Sequence, residues 1–363
     1  MFNKNKIQKA ILEENLEGWL FYIFHHRDKI ACRLLDISSK SVNTRPWIYF
    51  IPAKGEPHKI VHGIESAGLD HLPGKKTAYI SHNDLIKNIQ NLNPDKYMKI
   101  AVQLSENQPV NSFLDAGTAQ LLKEAGYRLV SSDGLIHRTM GTLSKKNIRN
   151  HEDTAEKLYS IIEESWIRLM TSFEKKSALF EGDISDFIMD RYDNYGLITN
   201  HPPIVASGVN SANPHYLPQN RGKKIKRNEI IQLDIWARQN TADAVYADIS
   251  WVGFTGSTNE IPGAAEKMFR NLVEVREAAV SFIKERVENS RTVTGYEIDE
   301  HTRNEIKNRG YSDFIRHRTG HSIDENDHGC GVNLDSIEFP DSRRLIEGSC
   351  FSIYLCAIDS ASL

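Results

Sequence analysis

Cysteine is scarce in this chain. Cys32, Cys330, Cys350 and Cys356 are its only four, and no two stand in a Cys-x-x-Cys pair. That usage excludes a disulfide scaffold and fits a reducing, cytoplasmic setting. Long apolar runs are also missing: Trp19 to Phe24 and Phe351 to Ile358 fall far short of a membrane span. The first residues, MFNKNKIQKAILEENLEGW, are charged and helical in pattern, without the apolar core of an export signal. Nor is there an excess of positive charge. A net charge of −3 argues against a nucleic-acid partner, which wants a basic face, and the one basic run, Arg221 to Arg227, reads as a solvated turn before a strand.

What is present is ordinary soluble-protein composition, 40% hydrophobic and 26% charged, over 363 residues, enough for two domains with sizeable cores. The first half alternates strands with short helices. Strands are expected at Trp19–Phe24, Trp47–Ile51, Lys59–His62, Thr77–Ser81, Lys99–Leu104 and Tyr127–Ser132, and helices at Asp84–Leu92 and Ala116–Ala125. This is an α/β domain, and it holds no convergent cluster of histidines, cysteines or acids. The polar segment Thr142–His151 is the expected hinge, giving domains at 1–145 and 146–363.

The second half repeats itself. Long and shorter helices at Glu152–Glu174 and Ile184–Tyr195 precede strands at Pro203–Ser207, Glu229–Ala237 and Val245–Gly253. Helices at Gly263–Asn289 and Gly295–Arg309 then precede strand material at Phe314–His317 and Cys350–Ile358. The repetition implies an internal pseudo-two-fold in which the final strands are incomplete, because only the first strand of a second hairpin precedes Leu363.

Chemistry concentrates in two stretches. QLDIWARQNTADAVYADISWV reads as a β-hairpin carrying Asp234 and Asp248 on opposed strands, and HRTGHSIDENDHG offers His317, His321 and His328 around a glycine turn. Carboxylate plus imidazole is a ligand set for a divalent transition metal, and neighbouring buried carboxylates call for a cation. His215, in Asn-Pro-His-Tyr, precedes the hairpin. Asp243, Asp324 and Asp327 sit in polar stretches and read as solvated.

Asn213-Pro-His215-Tyr, Leu233-Asp234, Tyr246-Ala-Asp248-Ile-Ser and His317-Arg-Thr-Gly-His321 together resemble the pita-bread metallopeptidases: Xaa-Pro aminopeptidases, prolidases and creatinases. The first half resembles the creatinase-type N-terminal domain. The resemblance implies that Asp234, Asp248 and His321 ligate two divalent ions, Mn²⁺ first, with Zn²⁺ or Co²⁺ as alternatives. It implies that His215 and His328 are catalytic, contacting substrate and intermediate, and that His317 lines the pocket for the proline-side residue. A small peptide is then the substrate, with a homodimer left open as the assembly.

Departures from the family pattern accompany it. Tyr354 stands where a glutamate ligand belongs, and a later bridging glutamate is absent from Ala357-Ile-Asp-Ser-Ala-Ser-Leu363, so the C-terminus reads as truncated or frameshifted. Asp324 replaces a glycine. Glu338, Glu347 and Asp359 are poor substitutes for the missing acids. The slightly long interval between Asp234 and Asp248 is assigned to the hairpin tip. The expectation is a metal-dependent Xaa-Pro aminopeptidase impaired by the loss of two ligands. One alternative is a catalytically inactive binding or scaffold protein of the same fold. Another is a metal-independent creatinase-like hydrolase using histidine as general acid and base.

Overall fold

The computed structural model describes residues 2–94 and 96–355. The chain divides into two compact units, Met1–Met140 and Gly141–Leu363.

In the first unit, α1 (Lys4–Glu13) leads into β1 (Gly18–Ile23), α2 (Lys29–Leu34), β2 (Trp47–Pro52), β3 (His58–His62), β4 (Lys75–Tyr79) and α3 (His82–Asn91). Then come β5 (Lys99–Val102), α4 (Ala116–Glu124), β6 (Arg128–Ser131) and α5 (Asp133–Met140). The strands form one sheet in the order β4-β3-β2-β1-β5-β6. Its centre is apolar on both faces: Trp19, Phe21, Trp47, Tyr49 and Ile51 are buried on one, and Leu20, Ile48 and Phe50 on the other. That two-sided burial explains why the strands read as continuous apolar runs rather than alternating ones. The helices α2 and α5 were not expected. Asp28 caps α2 by accepting from the Ala31 amide, and α2 is too short to show a period in the sequence.

The second unit opens on α6 (Lys145–Glu174), followed by α7 (Glu181–Asn194), β7 (Leu197–Ile198), β8 (Ile204–Ser207), β9 (Ile230–Gln239) and β10 (Ala247–Phe254). The helices α8 (Gly263–Glu288) and α9 (Gly295–Asn308) come last. Most of the expected hinge is therefore helix. Ser144 and Asn147 form a capping box, each side chain bonded to the other's backbone amide, and the polar run continues as the solvated first turns of α6. Strand β9 is central: β10 flanks one edge, while β7 and β8 share the other.

Beneath this sheet Leu158, Ile161, Ile162 and Leu169 of α6 and Ile184 and Ile188 of α7 pack against Ile231, Leu233, Ile235 and Ala237. Each such aliphatic burial stabilises by roughly 1.5–3 kcal/mol, so one face of β9 is strongly fixed.

The helix pair recurs as α8 and α9, but its strands do not recur as a ladder. The expected strand at Phe314–His317 is absent. Residues 312–314 close a tight turn, with the Phe314 amide donating to the Tyr311 carbonyl at 3.1 Å, and local bonds win where no partner strand is available. The pairings found here are isolated bridges, Gly320 with Leu334 and Ser322 with Phe351. The expected strand Cys350–Ile358 is described only to Leu355, so Cys356 and Asp359 lie outside the described residues. No helix among the described residues is long and apolar enough to cross a membrane.

Candidate active site

The hairpin of β9 and β10 has two chemically distinct faces. Strand alternation sends Ile231, Leu233, Ile235 and Ala237 into the core, which turns Gln232, Asp234 and Trp236 to the opposite side. In the antiparallel register Asp234 faces Ser250, and Asp248 faces Trp236. The two acids are therefore diagonal neighbours on one face, within reach of each other's charge.

That proximity has an electrostatic consequence. Asp234 is pushed up to about 7, first by burial and then by the negative charge of Asp248. The Ser250 hydroxyl, which donates to Asp234 Oδ1, and the nearby His321 pull in the other direction without cancelling the rise. His321 completes the group, its Nε2 lying 3.3 Å from Asp248 Oδ2. The His328 ring stacks on His321 with centroids 4.1 Å apart. His328 is pushed down to about 4 by burial and by that neighbouring imidazole.

The turn carrying His321 is held from both sides. Asp299 of α9, fully buried, accepts from the amide and hydroxyl of Thr319 and from the amide and hydroxyl of Ser336. On the other side the Ser352 amide donates to the His321 carbonyl at 2.9 Å, and the His321 amide donates to the Ser352 hydroxyl at 3.2 Å. Gly320 is required between them, since a Cβ there would meet the Ser352 carbonyl oxygen at 1.9 Å.

Asp324 corrects an expectation. It is only 1% exposed, not solvated, and its carboxylate accepts from the Asn326 and Cys330 amides, closing the loop that carries His328. A short acceptor at this point organises the loop in the manner of an Asx turn.

His317 packs elsewhere. Its ring stacks on Tyr354 at 5.2 Å with the planes 19° apart, and the Tyr354 hydroxyl accepts from the Gln232 side-chain amide at 3.1 Å. Gln232, Asp248, Ser250, Ser352 and Tyr354 line a common cavity of about 450 Å³, closed on its apolar side by residues such as Met268 and Leu272 of α8. Its mixed lining, mostly apolar with a few convergent polar groups, suits a small organic ligand.

His215 lies on the exposed loop between β8 and β9, its amide donating to Asn213 Oδ1 at 3.0 Å. Its ring makes no hydrogen bond among the described residues. The structure thus gathers Asp234, Asp248, His321 and His328, sets His317 beside Tyr354, and leaves His215 on the neighbouring loop. Gln232, Ser250 and His151 also line the cavity and were not anticipated. The first two stand two positions from Asp234 and Asp248, so strand alternation alone would have placed them on the same face.

The donor set can be tested against a metal. Two carboxylates and one imidazole are suitable chemistry for a divalent ion. Among the described residues, however, no group of three or more histidine, cysteine, aspartate or glutamate side chains is spaced to hold one. Two dications would also bring four positive charges against two carboxylates in a largely buried pocket, an imbalance too expensive to sustain. The described residues do not fit a two-ion site.

Comparison with known proteins gives the family. Residues 150–357 match the model of metallopeptidase family M24. An Xaa-Pro dipeptidase of Pyrococcus furiosus is 30% identical over 137 residues, which is 38% of this chain and 33% of that protein. The chain thus spans about a third of the length of that curated relative. Among solved structures, dipeptidase PepE of Mycobacterium ulcerans superposes with a TM-score of 0.66 at 17% identity, covering 96% of this chain and 86% of that one. The N-terminal domain of the FACT complex subunit SPT16 from chickpea superposes at 0.61 and 11% identity, covering 97% and 88%. At such identities the structural likeness concerns the fold alone. With more than half its length matching the family model, and the pita-bread fold around its paired aspartates, the chain belongs to metallopeptidase family M24.

Proposed function

We propose that the second unit binds the N-terminal end of a short peptide whose second residue is proline, and that hydrolysis of that peptide is impaired in this chain. Family membership and the Xaa-Pro dipeptidase relative support the substrate class. In this reading Asp248 and His321, 3.3 Å apart, would be the donors that meet an ion, with Asp234 as the neighbouring acid on the same face. His215 and His328 hydrogen-bond the peptide, and His317 lines the subsite for the proline-side residue. The impairment rests on one observation: Tyr354 occupies the cavity wall beside His317 and Gln232, where a further carboxylate would be needed. A phenol that is already hydrogen-bonded and stacked contributes no anionic charge to balance a second cation.

With two carboxylates available, charge balance supports at most one divalent ion per chain, and Mn²⁺ suits an oxygen-rich donor set. The experiment is direct. Purified protein is supplied with Mn²⁺ and an Xaa-Pro dipeptide, and binding and turnover are followed separately. Saturable peptide binding with little or no product is the expected result. Rapid hydrolysis would contradict the impairment, and no binding at all would remove the substrate assignment.

A second reading, a binding module without chemistry, is supported by the neutral, already hydrogen-bonded Tyr354 phenol on the cavity wall. Peptide binding that is indifferent to Mn²⁺ would select it.

A further inference from the structure

We propose that Glu181 is the positioning residue for the loop that presents His215, a single buried carboxylate to which both ends and the middle of that loop are tied. The proposal rests on the reading above only for the role of His215.

Glu181 opens α7 and is 0% exposed. Its carboxylate collects donors from the span 207–223. The Ser207 amide and hydroxyl donate to Oε1 at 2.7 and 2.9 Å, at the point where β8 ends. The Lys223 amide donates to Oε2 at 2.7 Å, at the far end of the span. Between them the Asn210 side-chain amide bonds to both oxygens at 3.0 and 3.3 Å, and the Tyr216 hydroxyl donates to Oε2 at 2.7 Å. The loop is a hoop closed on one carboxylate.

The far end of the span has further ties: the Glu181 and Gly182 amides donate to the Lys223 and Arg221 carbonyls at 3.0 and 2.9 Å, and Arg221 pairs with Asp183. Among the described residues, the stretch around His215 has only local turn bonds besides the carboxylate. Apart from a short turn at Gly208–Ala212 the span has no regular structure, and His215 and Leu217 are exposed. A loop with so few apolar contacts sits at the low end of local stability unless polar bonds order it. The chain is also shaped for the acid. Gly222 adopts φ +71°, and a Cβ there would stand 2.8 Å from Glu181 Oε2, so glycine both makes the turn and admits the carboxylate.

The anchored positions are the ones that matter to the site. Tyr216 follows His215 directly, and Asn213 accepts from the His215 amide, so the histidine is fixed on both sides. Ser211 and Ala212, one turn earlier, line the same cavity as Asp248. A leucine could fill the volume of Glu181 without the desolvation cost of a buried acid, yet it would select no loop conformation. What the carboxylate adds is a unique arrangement of five donors.

The test uses the full chain and needs no turnover. Glu181→Gln keeps the shape but turns an NH₂ donor toward donors. In that variant, amide exchange at Ser207 and Lys223 should accelerate by about tenfold or more, as expected for lost buried hydrogen bonds. The His215 ring signals in NMR should move, while exchange across β9 and β10 stays as in the parent. Tyr216→Phe removes one donor and should move the His215 signals alone, which keeps the proposal exposed if Glu181→Gln does not fold. Unchanged His215 signals in Tyr216→Phe would overturn it. So would Glu181→Gln accelerating exchange equally in β9 and β10, because the acid would then be general scaffolding. Absence of peptide hydrolysis in the parent bears on the functional reading and leaves these readouts intact.

Discussion

Gln232 donates its side-chain amide to the Tyr354 hydroxyl at 3.1 Å, joining the strand that carries Asp234 to the segment that follows the His321 turn. The contact sits on the wall of the same cavity that Asp248 lines. It places a neutral phenol in a pocket whose acids already repel one another. The difference between this site and a two-ion site is therefore one of charge as much as of geometry.

The first prediction adds a charge at that position. Tyr354→Glu places a carboxylate beside Gln232 and gives the pocket a third negative charge. Mn²⁺ affinity, measured by calorimetric titration, should rise by about tenfold or more, equivalent to about 1.4 kcal/mol. An affinity equal to that of the parent would mean that position 354 does not face the ion.

The second concerns the turn that carries His321. Gly320→Ala drives a Cβ into the Ser352 carbonyl, so the turn and the segment at 350–354 must separate. Overpacking of this kind costs about 1–3 kcal/mol. Denaturant unfolding should report that loss together with weaker Mn²⁺ binding, since His321 is bonded to Ser352 through its own backbone. Parent-like stability and binding would show that the segment yields without consequence.

The third is a pH dependence in the first unit. Burial pushes Asp28 up to about 6, against about 3.9 for a carboxyl in an unfolded chain. The folded state therefore holds the proton more tightly, and stability falls as pH rises from about 4 through about 6. Asp28→Asn keeps the cap on α2, because asparagine also accepts from the Ala31 amide, and removes the buried charge. The variant should match the parent at pH 4 and exceed it at pH 8, by up to about 3 kcal/mol. A parent that is the more stable at pH 8 would reverse the sign and refute the assignment.

How much of this was legible in the sequence depends on the kind of force involved. The hairpin was legible because apolar residues alternate with Gln232 and Asp234, and period two fixes which side chains share a face. The convergence of Asp248 with His321 came from the motif resemblance, not from the period, since the two are brought together only by tertiary packing. The Asp324 error has the same origin. Its polar neighbours look solvated in one dimension, while in the fold its carboxylate closes a buried turn. Glu181 and Asp299 were missed because each lies on a helix far in sequence from the loop whose amides it collects. The strand expected at Phe314–His317 failed because strand propensity does not supply a partner.

The most direct test of the account is the number of Mn²⁺ ions bound per chain, measured by calorimetric titration of the metal-free protein. The account predicts no more than one, lost in both Asp248→Asn and His321→Ala. Two ions per chain, or a single ion retained in both variants, would contradict it.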